Sequence, residues 1–246
     1  MCSLVRGILV LGYVRLRIGE FGCLLWMFVL MIGIRAWWAM VEKGVQENYQ
    51  YVHIELGDNK PSWYKEQINP LGTVPCVYEA GQRIIESLLV ARYFEEQYPD
   101  QGTSLLPKSA AERALVHFIS SRFDTSPFYA FIREQDTTKY KEHEQKCKDE
   151  LKKFNNELHQ FVPKTTGVYL CGEFSLADIS LFPFIARFVV ALKHYRDYDM
   201  NIEAYDRIHS AWEAVQTRPA FLATSCPSEF YVQVYDSYAN PRKQTG

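Results

Sequence analysis

Asn69-Pro70-Leu71-Gly72-Thr73-Val74-Pro75, followed eleven residues later by Glu86-Ser87 and an apolar helix, has the makings of a small binding site for one zwitterionic peptide. Val74-Pro75 can take the cis form, because the tertiary amide of proline nearly removes the trans preference. A bend of that kind leaves the N–H and C=O of Val74 open to an extended peptide, which pairs with them as an added strand. Glu86 offers a carboxylate to an ammonium group. Ser87 stands where a helix begins, and a helix N-terminus attracts a carboxylate. An ammonium, carboxylates and a short peptide backbone together describe glutathione.

The elements that must position these groups belong to an ordinary globular chain. Of 246 residues, 48% are hydrophobic and 23% charged, enough for one large domain or two small ones. The net charge of −2 gives no footing for nucleic acid. Six cysteines (Cys2, Cys23, Cys76, Cys147, Cys171, Cys226) lie far apart, with no C-x-x-C pair and no zinc spacing. Scattered thiols suit a reducing compartment, so the expected location is cytoplasmic and no metal is expected. The first forty residues are anomalous, since Phe21–Ile34 runs without a charge after Arg6, Arg15 and Arg17. A spanning helix needs about 20 apolar residues, so a buried segment is expected rather than a membrane anchor.

Residues 1–20 receive no assignment from their pattern. Leu24–Leu30 reads as a buried strand or the start of a helix, which periodicity cannot separate in so short a run. A helix is expected from Arg35 to Lys43, stopped by Gly44, then a strand from Tyr49 to Leu56 with Val52, Ile54 and Leu56 on one face. Ser62–Ile68 reads as a short helical piece. Cys76–Glu79 and Arg83–Ile85 read as a hairpin around Ala80-Gly81-Gln82, and a helix runs from Leu88 to about Tyr98. After the polar stretch Gln101–Lys108, helical patterning takes over: Ser109 to about Arg133, Lys139–Phe161, Ser175 to Ala191 and Ile202–Gln216, the last stopped before Pro219. Ser175 and Asp178 form a capping box with Phe174 and Ile179 as its staple. The predicted organisation is an unassigned segment 1–23, an α/β domain at 24–100, an all-helical domain at 109–225 and a tail at 226–246.

This order of motifs resembles the cytosolic glutathione transferases over about residues 33–225. Asp58-Asn-Lys-Pro-Ser-Trp-Tyr64 before the Val-Pro bend is similar to the omega-like, cysteine-type branch and to the thiol-dependent reductases of trypanosomatids, and Gly172–Asp178 is similar to the capping motif of the family's helical domain. The resemblance implies a thioredoxin-like N-terminal domain followed by the all-α C-terminal domain of that family. It implies that Lys60 meets the glycyl carboxylate of glutathione, Val74 its cysteinyl backbone, Glu86 the γ-glutamyl ammonium and Ser87 the α-carboxylate. Charged hydrogen bonds contribute on the order of 1.5–3 kcal/mol each, which together give micromolar to millimolar binding.

The departure matters as much. Omega-like members carry C-P-x-x-x-R at the start of the first helix, where the dipole favours a thiolate. Here Arg35 fits the arginine, but Leu30 and Met31 stand where cysteine and proline belong, and Leu24–Ile34 contains no Ser, Thr or Tyr. No catalytic residue is therefore assigned, and Cys23 reads as a buried small hydrophobe. The implied function is a glutathione-dependent transferase or thiol–disulfide oxidoreductase of detoxification type, impaired by the missing cysteine, acting on a small electrophile or disulfide. Its co-substrate is glutathione or a conjugate such as trypanothione, and its expected partner is a second copy of the chain. The alternative is a non-catalytic interaction module of the same fold, and a third reading is a membrane-inserting relative like the chloride intracellular channel proteins. Tyr129, Phe128 and Trp212 are candidates for lining a hydrophobic substrate pocket.

Overall fold

The computed structural model describes residues 7–13, 33–55, 60–163 and 167–241, which fall into two compact units at 1–105 and 106–246. The first unit holds a four-stranded sheet of order β2-β1-β3-β4, with strands β1 (Gly7–Tyr13), β2 (Tyr49–Glu55), β3 (Cys76–Glu79) and β4 (Gln82–Ile85). β1 pairs parallel with β2, from Gly7↔Tyr49 to Tyr13↔Glu55, and antiparallel with β3, from Gly7↔Glu79 to Val10↔Cys76. Gly7–Tyr13 is thus an inner strand, although residues 1–20 carry no assignment in the sequence reading. Leu9, Val10 and Leu11 are fully enclosed, so the strand reads as a continuous apolar run without alternation. Leu24–Leu30, Leu56 and most of Phe21–Ile34 lie outside the described residues.

Helix α1 (Ile34–Lys43) ends where Gly44 takes the left-handed conformation (φ 66°) and returns its N–H to the helix, as the sequence predicts. The hairpin turn between β3 and β4 uses Ala80 and Gly81, both at positive φ, which matches the twist of the flanking strands. Helix α2 (Ser87–Gln97) packs on α1, burying Trp38, Ala39, Met40, Val90, Ala91 and Phe94. One buried ion pair crosses this interface: Lys43 Nζ lies 2.7 Å from Glu95 Oε2. Glu95 also accepts from the Leu105 N–H (3.0 Å) and the Ser104 hydroxyl (3.2 Å), so its charge is matched on several sides.

Gly102 closes the same corner. At φ +57°, an added Cβ would stand 2.2 Å from the Glu42 carbonyl oxygen and 2.6 Å from the Lys43 backbone. Gly102→Ala is expected to destabilise the first unit by roughly 1–3 kcal/mol, from overpacking against unyielding backbone at a left-handed φ. Chemical denaturation followed by intrinsic tryptophan fluorescence checks this, and an unchanged midpoint would contradict it.

The second unit is helical. Helices α3 (Ala110–Ser120) and α4 (Ser126–Arg133) replace the single helix expected from Ser109 to Arg133. Pro127 in the first turn of α4 has no N–H for a preceding turn and restarts the chain instead. Helix α5 (Tyr140–Phe161) carries the charge-rich face, and α6 (Leu176–Arg196) is buried along most of its length. Helix α7 (Asp206–Gln216) follows a short 3-10 turn at Ile202–Ala204. Pro219 begins a further short helix, α8 (Pro219–Thr224), as well as ending α7. Residues 226–246, read as a tail, contain α9 (Ser228–Ala239), which packs on α6 and α4. Arg196 fastens this trio, donating to the carbonyls of Phe131 (3.1 Å), Ile132 and Ala239 (3.1 Å).

The capping box of α6 is formed as its spacing predicts. Ser175 accepts from the Ala177 N–H, and Asp178 reaches back to the Ser175 N–H at 2.9 Å. Asp178 is fully buried and also accepts from the Leu170 N–H at 3.0 Å, so it holds the preceding loop as well. Among the described residues no helix is long and apolar enough to cross a membrane, and no cluster of His, Cys, Asp or Glu is arranged to hold a metal ion.

Candidate functional site

The site is built at one end of the first unit's sheet, where β3 begins and β4 ends. A single helical turn of wide pitch at Tyr64–Ile68, closed by Asn69 N–H to the Tyr64 carbonyl at 2.8 Å, delivers the chain into the Asn69–Pro75 loop. Asn69 is buried and shapes that loop from within. Its side-chain oxygen accepts from the Leu71 N–H (3.1 Å), and its amide donates to the Thr73 carbonyl (2.8 Å) and hydroxyl (3.2 Å). The Tyr64 hydroxyl donates to the same Thr73 carbonyl at 2.6 Å. Gly72 turns the chain at φ +67°, a conformation open to glycine without strain. Tyr64, Asn69 and Thr73 stand within the motifs quoted from the sequence, but the sequence reading gave none of them a role of its own. The Asn-Pro-x-Gly spacing, a turn built on an asparagine side chain, is the signal that pointed to them.

Val74-Pro75 is cis. The Val74 side chain packs into a core cluster with Val10, Ile54, Tyr64 and Cys76, while its backbone N–H and C=O make no hydrogen bond to another described residue. Lys60 comes to the same loop, its ammonium donating to the Gly72 carbonyl, two residues before Val74. The β3–β4 ladder ends at Cys76↔Ile85. Val74-Pro75 runs directly into β3 and Glu86-Ser87 leads directly out of β4, so both segments flank the end of the hairpin where that ladder stops, and Lys60 reaches the loop that leads there.

Glu86 and Ser87 are each in an unusual state. Glu86 adopts φ 69°, ψ 119°, outside the regions that residues with a Cβ favour, and its side chain is exposed. Backbone of this kind costs about 1–3 kcal/mol and collects at ligand clamps. Ser87 opens α2 with its side chain buried, and its hydroxyl has no hydrogen-bond partner. The first turn of α2 contains no acidic residue to satisfy its free N–H groups. The end of the sheet thus presents an ammonium at Lys60, a helix N-terminus with an idle hydroxyl at Ser87, an unpaired peptide edge at Val74 and one carboxylate at Glu86. It can receive a molecule carrying carboxylates at two ends, a peptide bond in the middle and one ammonium.

No described cysteine is poised as a nucleophile. Burial pushes the thiol of Cys76 up to about 11, against a small opposing effect of Arg83, and its Sγ contacts the Val77 carbonyl. Burial likewise raises Cys147 and Cys171 to about 12 and Cys226 to about 11. All four are thiols at neutral pH. Cys2, Cys23, Leu30 and Met31 lie outside the described residues.

The candidate pocket aromatics of the second unit separate. Phe128 is core, stacked on Phe188 at 5.0 Å, whereas Tyr129 meets Phe188 edge-on and lies near Tyr235. Trp212 stacks on Phe182 and lines a different cavity of about 410 Å³ with Val189, Met200 and His209.

Residues 33–97 match the family model of the glutathione S-transferase N-terminal domain, and residues 123–223 match that of the C-terminal domain. The chain is 29% identical over 211 residues to glutathione S-transferase L1 of Arabidopsis thaliana, covering 83% of this chain and 81% of that protein. It is 30% identical over 202 residues to the IN2-1 homolog B protein of Oryza sativa subsp. indica, covering 76% and 77%. Among solved structures, glutathione transferase Omega 3C of Trametes versicolor superposes with a TM-score of 0.70 at 28% identity, covering 96% of this chain and 92% of that one. Leishmania TDR1, a trimeric glutathione transferase, superposes with a TM-score of 0.75 at 28% identity over 87% of this chain, which spans 46% of that longer protein.

Proposed function

The chain belongs to the glutathione S-transferase family, and from that premise we propose that it binds glutathione through Lys60, Val74, Glu86 and Ser87 for transfer or thiol–disulfide exchange. The observation that supports this reading is the idle, buried Ser87 hydroxyl at the start of α2, beside the strained Glu86 that leaves β4. In this reading the α-carboxylate of glutathione takes the Ser87 hydroxyl and the first N–H groups of α2. Its ammonium meets Glu86, its cysteinyl peptide unit pairs with Val74 as an added strand, and its glycyl carboxylate draws the Lys60 ammonium away from Gly72. The bound thiol is then presented to a small electrophile or a mixed disulfide. The reading extends to omega-like chemistry in a reducing compartment with a second copy of the chain as partner. The exposed Leu71 and Leu89 on the first unit support that last step.

A second reading is a binding module of the same fold without turnover. It is favoured by the four described thiols, each held protonated by burial. A positioned acid or base contributes typically 10²–10⁴-fold, so a chain without one falls short by about that factor. Calorimetric titration with glutathione, paired with a thioltransferase assay on a glutathione mixed disulfide, separates the two. Binding with turnover supports the enzyme, binding alone supports the module, and no binding at millimolar glutathione sinks both. Lys60→Ala is expected to weaken glutathione about tenfold, the loss of one charged hydrogen bond. The dipeptide γ-glutamylcysteine, which lacks the glycyl residue, is expected to be affected less. Equal losses for both ligands would remove Lys60 from the assigned role.

A further inference from the structure

We propose that Tyr64 and Asn69 are positioning residues that aim the Val74 N–H at a peptide laid along the loop, so that the site selects ligands with a carbonyl on the residue bearing the thiol. The inference rests on the glutathione reading above and goes past it, to two side chains that are assigned no contact with the ligand.

Both side chains converge on one oxygen. The Thr73 carbonyl accepts from the Tyr64 hydroxyl at 2.6 Å and from the Asn69 amide at 2.8 Å. A backbone carbonyl has two lone pairs, so both are taken. The bond between Thr73 and Val74 is trans, since among the described residues the cis bond is Val74-Pro75. A trans peptide is planar, and its C=O and N–H point in opposite directions. Tyr64 and Asn69 are both buried, so holding the Thr73 carbonyl against them turns the Val74 N–H away from the interior. That N–H makes no hydrogen bond to another described residue. Were this peptide unit to turn over, the loop would show a carbonyl where a donor now stands, and a carbonyl of the ligand would meet like partial charge.

The chain builds this clamp with a local device. In an α-helix, residues five apart lie about 140° apart round the axis. Tyr64–Ile68 forms a wider turn instead, closed from the Asn69 N–H to the Tyr64 carbonyl at 2.8 Å, and Tyr64 and Asn69 reach the same oxygen. Single turns of this pitch recur at functional sites. The Asn69 side-chain oxygen accepts from the Leu71 N–H at 3.1 Å, which fixes the direction of its amide toward Thr73. Packing does not ask for the Tyr64 hydroxyl. Its ring lies among Val10, Ile54, Val74 and Cys76, an apolar cluster that phenylalanine would fill as well. Burial pushes the Tyr64 phenol well above its ordinary value, against a hydrogen bond with Asn69 that lowers it, so the hydroxyl stays a donor at neutral pH. Its one printed partner in the loop is the oxygen whose direction sets that of the Val74 N–H.

The test separates aim from mere loop stability. The full-length chain is titrated by calorimetry with glutathione, with γ-glutamylcysteine amide and with γ-glutamylcysteamine. The last two differ only in the carboxamide on the thiol-bearing residue, which carries the carbonyl that the Val74 N–H meets. The wild type is expected to prefer the carboxamide about three- to tenfold, the effect of one hydrogen bond. Tyr64→Phe is expected to at least halve that preference, with little loss for γ-glutamylcysteamine. Asn69→Asp, which keeps an acceptor for the Leu71 N–H and sets an anion against the Thr73 carbonyl, is expected to abolish it. Should Asn69→Asp fail to fold, Tyr64→Phe keeps the ring in its cluster and carries the test. A second readout is hydrogen exchange at the Val74 amide, which glutathione is expected to slow in the wild type and to slow less in Tyr64→Phe. Absence of glutathione binding in the wild type would sink the glutathione reading and this inference together. Glutathione binding with equal losses for the two analogues in Tyr64→Phe, with no wild-type preference between them, or with the same Val74 protection in variant and wild type would overturn this inference and leave the glutathione reading standing.

Discussion

Replacing Glu86 and Ser87 together by alanine is expected to weaken glutathione binding by about 10²–10⁴-fold. Each residue is assigned one hydrogen bond to a charged group of the ligand, worth about 1.5–3 kcal/mol, and each 1.4 kcal/mol is tenfold in affinity. The two single variants should separate binding from folding. Ser87→Ala removes a buried hydroxyl that has no partner in the free protein, so the unliganded unit should become more stable as affinity falls. Glu86→Gly relaxes the backbone at φ 69° and should raise the unfolding midpoint of the free protein, while Glu86→Ala keeps the strain. Both Glu86 variants should lose the ammonium contact equally. Calorimetry with glutathione, beside unfolding curves without it, reads both quantities. Wild-type affinity in the double variant would remove these residues from the site.

The second large effect belongs to Asp178. Asp178→Ala is expected to destabilise the helical unit by about 3–5 kcal/mol, because it strands the buried N–H groups of Leu170 and Ser175 as well as losing a helix cap. For a unit of this size that lowers the midpoint by about 10–17 °C. Its carboxyl also ties stability to pH. Burial raises it to about 7, against hydrogen bonds from Leu170 and Ser175 that pull it down, while the unfolded chain titrates near 3.8. The folded form thus holds a proton that the unfolded form releases. This contribution is full below about pH 4 and is lost as pH rises through 7. Wild-type unfolding midpoints should accordingly fall between pH 5 and pH 8, and Asp178→Asn should flatten that slope. An unchanged slope in Asp178→Asn would place its origin elsewhere.

How far the sequence speaks for this molecule varies with the kind of signal. Val74-Pro75, Glu86-Ser87 and the Ser175–Asp178 cap were legible because each depends on local backbone chemistry that residue type dictates. Gly44 and the turn at Ala80-Gly81 belong to the same class. The inner strand Gly7–Tyr13 was not legible. A strand enclosed on both faces loses its alternation, and a second apolar run at Leu24–Leu30 competes with it. Which run pairs with Tyr49–Glu55 is decided by contacts distant in sequence. Pro127 and Pro219 were read as continuing or ending helices, when proline in a first helical turn equally well begins one.

The place of Gly7–Tyr13 in the sheet bears on how this protein can be divided. A fragment cut to start at Leu24, at the foot of the apolar run, would lack the strand between Tyr49–Glu55 and Cys76–Glu79. Both neighbours would then present bare hydrogen-bonding edges, the template on which separate molecules zip together. Any excised N-terminal module must therefore keep its opening dozen residues.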